Sequence, residues 1–161
     1  MGQLLSKNKH KRILVLGLDG SGKTSLVQHL LHEEKEIDTT SCFEIHIYKY
    51  KSYTFHLWDI GGKEQIRPLW KHYYDESDAV IYVIDGTDMK RWSESIRQLY
   101  YMMYENKLYR IPFLVYISKQ DLGTCSEIPE FSSQHNYYVQ PCSMVTGEGV
   151  KQGLKWLCSN L

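Results

Sequence analysis

Nothing in this chain supplies a disulfide framework, a membrane-crossing helix or an excess of charge of either sign. Its four cysteines, Cys42, Cys125, Cys142 and Cys158, are scattered with no C-x-x-C pair. That argues for reduced thiols in a cytoplasmic protein rather than cross-links or a zinc site. No apolar stretch approaches the roughly 18 residues that span a bilayer, and no signal-peptide core is evident. Lys plus Arg and Asp plus Glu balance at 19 each, so no global field points to nucleic acid. No repeat, linker or low-complexity stretch breaks the 161 residues, a length that suits one domain with a sizeable core, acting as a monomer. The one local imbalance is at the start, where Lys7, Lys9, Lys11 and Arg12 cluster. The 13 tyrosines read as amphipathic packing residues.

Apolar runs alternate with helix-period segments, the pattern of a three-layer α/β fold. Ile13–Leu16 reads as a first strand and Ser25–Leu31 as a helix-compatible stretch. Phe43–Tyr50 alternates, as do Tyr53, Phe55 and Leu57, and the short link at Lys51-Ser52 implies an antiparallel hairpin. Ala79–Asp85 is a continuous apolar run, as a buried central strand requires. Ile96, Leu99, Tyr100 and Met103 fall on one helical face. Pro112–Ile117 and Tyr137–Val139 follow as strands, and Val150, Leu154, Leu157 and Leu161 mark a C-terminal amphipathic helix.

Between the first strand and helix lies Gly17-Leu18-Asp19-Gly20-Ser21-Gly22-Lys23-Thr24, the spacing G-x-x-x-x-G-K-[ST]. Glycines let successive backbone N–H groups curl round phosphate oxygens. Lys23 adds a point charge, Thr24 offers a hydroxyl to Mg²⁺, and the following helix from Ser25 favours the anion through its dipole. Three further segments fall in order at strand ends, where open α/β sheets bind ligands. They are Trp58-Asp59-Ile60-Gly61-Gly62, Ser118-Lys119-Gln120-Asp121, and Cys142-Ser143-Met144 followed by Thr146-Gly147-Glu148-Gly149.

Together these resemble the Arf and Arf-like branch of the small GTPases, a P-loop NTPase fold. The likeness covers nearly the whole chain and is closest from Trp58 through Trp70-Lys71-His72-Tyr73-Tyr74. It implies a six-stranded, mostly parallel sheet with one antiparallel hairpin strand and helices on both faces. Residues 13–161 would form the GTPase domain and residues 1–12 a basic, myristoylated lead-in. It further implies that Gly17–Thr24, together with Ser25, holds GTP or GDP, with Lys23 reaching the β- and γ-phosphates. Thr24 and Thr40 would ligate Mg²⁺, Thr39 being the alternative to Thr40, and Asp59 would do so through water. The Gly62 N–H would meet the γ-phosphate. Asp121 would read the guanine edge, Lys119 would cover the base and brace the phosphate loop, and N–H groups at Ser143 and Met144 would meet the guanine carbonyl. Phe43, Trp58 and Trp70 would lie on an effector-facing surface, on a hairpin that shifts register with nucleotide state. Effectors, an exchange factor and an activating protein are the implied partners.

The chain departs from that pattern in places. Lys63 stands where the family places the glutamine that orients the attacking water; an ammonium has donors and no acceptor, so slow hydrolysis is expected. Ser118 replaces asparagine, which should leave one of its links to water and speed nucleotide exchange. The interval from Leu122 to Asn136 is short and contains Pro129, so little helix is expected there. Lys63 and Ser118 also motivate an alternative, a pseudo-GTPase scaffold without a working nucleotide cycle.

Met1-Gly2-Gln3-Leu4-Leu5-Ser6 matches the N-myristoylation pattern with Gly2 as acceptor. The basic residues behind it would reinforce a single acyl chain on anionic lipid, giving reversible association with the Golgi or another endomembrane.

Overall fold

The computed structural model describes residues 9–32, 42–123, 128–132 and 134–161. Gly2, Lys7, Thr39, Thr40 and Cys125 therefore lie outside the described residues. Six strands form one sheet, β1 (Lys9–Leu16), β2 (Phe43–Tyr50), β3 (Tyr53–Ile60), β4 (Ala79–Asp85), β5 (Phe113–Ser118) and β6 (Tyr137–Pro141), in the order β2-β3-β1-β4-β5-β6. All neighbours are parallel except β2 and β3, which pair antiparallel from Phe43 against Ile60 to Tyr50 against Tyr53. The turn between them places Lys51 at φ 54. This is the expected architecture, although β1 begins at Lys9, ahead of the boundary expected at Ile13.

Burial explains the sequence signals. Every residue of β5, and all of β4 but Asp85, is buried because helices cover both faces of these parallel strands. One face packs Ile13, Val15, Phe55 and Leu57 under α1 (Lys23–Leu31) and α3 (Val150–Ser159). The other packs Leu14, Leu16, Ile60 and Tyr82 under α2 (Trp92–Met103) and a 3₁₀ turn at Arg67–Tyr73. In α2 the buried stripe runs through Trp92, Ser95, Leu99, Met102 and Met103. Tyr100, expected on that face, is rotated out to solvent and meets Tyr104. The C-terminal helix stops at Ser159, so Leu161 packs beyond it. No described residue between Leu122 and Asn136 is helical.

The topology fixes where a ligand can sit. After β1 the chain crosses to β3 on one side and then to β4 on the other. The crevice at the C-terminal end of β1 is therefore a switch point. The loops after β1, β3, β5 and β6 converge on it.

Candidate functional site

The loop after β1 is shaped by glycine backbone. Gly17, Gly20 and Gly22 have φ of 148°, 73° and 102°, which L side chains rarely adopt, and a Cβ on Gly17 would strike the Val83 carbonyl of β4. The Leu18 carbonyl accepts from the Ser21 N–H at 3.2 Å and from Lys23 Nζ at 3.0 Å. Lys23 is buried, and desolvation lowers its pKa against the opposing pull of Asp59 and Asp19. At the head of α1, Thr24 Oγ1 donates to Asp59 Oδ2 at 2.8 Å. Asp59 is wholly buried at the end of β3, its Oδ1 has no partner, and burial raises its pKa despite Thr24 and Lys23. A buried carboxylate with an orphaned oxygen beside a hydroxyl is the donor set a hard divalent cation suits.

At the far end of the crevice, Ser143 Oγ donates to Asp121 Oδ1 at 2.6 Å and accepts from the Val145 and Thr146 N–H groups. The serine thereby fixes an exposed carboxylate to the loop after β6. Of the two N–H groups expected to meet a base carbonyl, that of Ser143 is already spent on Glu148 O at 2.9 Å. Met144 is left for that role.

Ser118 does more than the sequence suggests. Its hydroxyl lies 2.6 Å from Ser21 O in the phosphate loop and 3.1 Å from Ile84 O of β4. The short side chain thus ties β5 to the phosphate loop directly. A Cβ on Gly22 would make only ordinary contact with Ser118 Oγ, at 3.6 Å; the glycine serves the backbone, whose φ there is 102°. Lys119 departs from expectation: its ammonium pairs with Asp85 Oδ2 at 2.6 Å rather than bracing the phosphate loop. Burial works to raise the Asp85 pKa, but hydrogen bonds from Lys119 and Thr87 prevail and lower it.

Gly62 packs onto the phosphate loop. Its carbonyl accepts from the Asp19 N–H at 3.2 Å, and a Cβ would collide with the backbone of Gly17, Leu18 and Asp19. Lys63 follows, exposed, its carbonyl accepting from the Ile66 and Arg67 N–H groups. Two residues that sequence reasoning missed converge here. Arg67 donates from Nε to Gly62 O at 2.8 Å, pairs with Glu94 of α2, and reaches Asp19 Oδ1 at 3.3 Å. Arg91 meets both the side chain and the carbonyl of Asp19 at 3.0 Å while holding Asp88. Burial of Asp19 opposes ionisation, yet the arginines keep its pKa low. No local motif marks these arginines, because their partner stands 48 and 72 positions away.

The expected aromatic surface is partly corrected. Trp70 is only 2 % exposed: its indole N–H donates to Gly61 O at 2.9 Å and its ring meets Tyr82 edge-on. Tyr73, one 3₁₀ turn on, takes its place beside Phe43 and Trp58, with Phe43 stacked on Trp58 at 5.6 Å. Phe43 is 42 % exposed, and Ile45 and Ile47 continue the apolar strip along β2. Two of the four basic residues of the lead-in have partners within the fold. Lys11 pairs with Asp78 at 2.9 Å, and Arg12 covers Trp58 and donates to Tyr73 O, so both serve the fold.

A six-stranded sheet with a glycine-shaped loop at its switch point, a Thr–Asp pair beneath it and an anchored carboxylate beyond defines a P-loop nucleotide-binding protein. The model of the ADP-ribosylation factor family matches residues 1–161. ADP-ribosylation factor-like protein 3 of Chlamydomonas reinhardtii is 39 % identical, over 96 % of this chain and 92 % of that protein. ADP-ribosylation factor-like protein 2 of Dictyostelium discoideum is 37 % identical, over 99 % and 91 %. Among solved structures, the Arl6 BBS3 small GTPase from Trypanosoma brucei, described with the bound nucleotide analogue GppNp, superposes with a TM-score of 0.82. That likeness covers 94 % of this chain and 96 % of that one at 24 % identity, and it bears on the fold alone. The chain belongs to the ADP-ribosylation factor family, as an Arf-like small GTPase. Membership implies binding of GTP and GDP.

Proposed function

We propose that the protein is a guanine-nucleotide-dependent regulatory switch that binds effectors in the GTP state and hydrolyses GTP slowly. The observation that carries this reading is the convergence on one crevice of the phosphate loop, the Thr24–Asp59 pair and the Ser143-anchored Asp121. Asp121 accepts the two N–H donors of a guanine edge, a pair that adenine lacks. Backbone N–H groups and Lys23 hold the phosphates. Thr24, Thr40 and, through water, Asp59 hold Mg²⁺, which when bound supplies charge neutralisation at the phosphates. The Gly62 N–H senses the γ-phosphate, and the strip Phe43, Trp58, Tyr73 and Ile45 presents the state to effectors. An exchange factor and an activating protein complete the cycle, and myristate on Gly2 gives reversible membrane association.

Slow hydrolysis rests on Lys63. Its three N–H donors and lack of an acceptor cannot take the proton-bearing face of an attacking water, while its charge favours the bound triphosphate. Single-turnover hydrolysis tests this. Lys63→Gln should hydrolyse at least about tenfold faster, a transition-state gain of about 1.4 kcal/mol; equal rates would defeat the reading.

A further inference from the structure

A groove of about 540 Å³ runs between the end of α1, the end of β2 and the N-terminal half of α3, away from the phosphate loop. His29 and His32 line one wall, Tyr50 closes one end, and Lys151 and Lys155 line the other wall; Glu148 is the one carboxylate among the described lining residues. Gly147 makes room for it. At φ 79° it carries no Cβ, which would stand 3.1 Å from the His29 ring. Lys151 and Lys155 are exposed, lie on one helical face, and pair with no carboxylate among the described residues. Of the other lysines, Lys11 pairs with Asp78, Lys71 with Glu105, Lys107 with Asp75 and Lys119 with Asp85, whereas Lys9, Lys49, Lys51 and Lys90 have no carboxylate partner among the described residues. Two lysines and two histidines thus line one concavity that holds a single carboxylate among its described residues.

From Tyr50, at one end of the groove, a chain of contacts leads to the first described residue of β1. Lys51 lies over the Tyr50 ring at 5.4 Å, Tyr53 donates its hydroxyl to Cys158 O of α3, and Lys9 lies over the Tyr53 ring at 5.9 Å. Lys9, the first described residue, therefore lies beside this basic, tyrosine-lined end. The seven residue steps from Gly2 to Lys9 span at most roughly 25 Å. Of the four basic residues the sequence offered as membrane-facing charges, Lys11 and Arg12 are occupied by Asp78 and Trp58, Lys9 lies over Tyr53, and Lys7 lies outside the described residues.

We infer that this groove binds the phosphate headgroup of an anionic phospholipid, so that Lys151 and Lys155, rather than the basic run at the start of β1, orient the protein on the bilayer. The lysines supply charge, and each histidine ring supplies at least one N–H donor. The inference rests on the membrane association proposed above. A single acyl chain holds only marginally and needs a second attachment, and the groove sits where such an attachment is within reach of Gly2.

Vesicle flotation of the full-length myristoylated protein at physiological salt tests it. Vesicles of phosphatidylcholine alone are compared with vesicles also carrying phosphatidylserine or a phosphoinositide. The double variant Lys151→Gln, Lys155→Gln should bind the anionic vesicles about thirtyfold more weakly than the native protein and match it on neutral ones. Lys71→Gln with Lys107→Gln removes the same charge from another part of the surface and should leave binding unchanged. Nucleotide affinity, unaltered in both, reports that each is folded. Equal loss in the two double variants would reduce the site to bulk charge and overturn it. Displacement by inorganic phosphate at low millimolar concentration would make it a free-anion site and overturn it as well. Native-like binding by the Lys151/Lys155 variant, with Gly2→Ala released, would remove the groove and leave the acyl anchor standing. Absence of native binding to any vesicle would remove both.

Discussion

Ser118 shows how one hydroxyl can do part of an amide's work. Wholly buried, it holds Ser21 O of the phosphate loop against β5. Ser118→Ala deletes that donor and strands a carbonyl, a loss of about 1–1.5 kcal/mol. Release of a fluorescent GDP should then be about five- to tenfold faster; an unchanged rate would mean the tie does not steady the bound state. Asp59 makes the opposite kind of point. Burial raises its pKa, so its ionised form burdens the fold at neutral pH until a cation arrives. Asp59→Asn should therefore raise the melting temperature of nucleotide-free protein and abolish the further rise that Mg²⁺ with GDP gives the native chain. Neither serine nor aspartate announces this in the sequence. Motif spacing shows that both belong to the site, but only packing shows which partner each side chain finds. Lys119 illustrates the same gap: its place after β5 was legible, its pairing with Asp85 was not.

At the level of elements, the hydrophobic periods transmitted well and the irregular turn did not. The apolar runs of β4 and β5 and the alternation of β2 and β3 each follow from which faces are covered, so they could be read directly. The 3₁₀ segment Arg67–Tyr73 has no such period, and which of its aromatics turns inward depends on a geometry that residue types do not encode. Trp70 went to the core and Tyr73 to the surface strip. Urea unfolding separates the two roles. Trp70→Ala should cost about 3–5 kcal/mol of stability, whereas Phe43→Ala should cost about 1 kcal/mol or less and act on effector binding instead. The Lys119–Asp85 pair links β5 to β4 and carries a pH signature. The Asp85 pKa is lowered in the fold, so its stabilisation is present above the ordinary carboxylate range and fades as pH falls through the lowered value. Lys119→Met should thus destabilise the protein at neutral pH and differ less from the native chain in acid.

Seen whole, the molecule places its nucleotide crevice at the one point where strand order reverses, with phosphate-holding and base-reading loops arriving from strands on both sides of β1. The fold was readable because parallel buried strands and a glycine-shaped loop leave strong local marks. The long-range ion network of Asp19, Arg67, Glu94 and Arg91 leaves none, since its members gather only after the sheet has formed. That network joins the phosphate loop to the Gly62 turn and to α2. All of it presupposes that the crevice selects guanine through Asp121. The decisive measurement is calorimetric titration with GTP and with ATP, Mg²⁺ present, for the native protein and for Asp121→Ala. The native chain should prefer GTP by at least about a hundredfold, two well-formed hydrogen bonds to a charged group, and the variant should lose most of that preference. Equal affinities for the two nucleotides in the native protein would contradict the account.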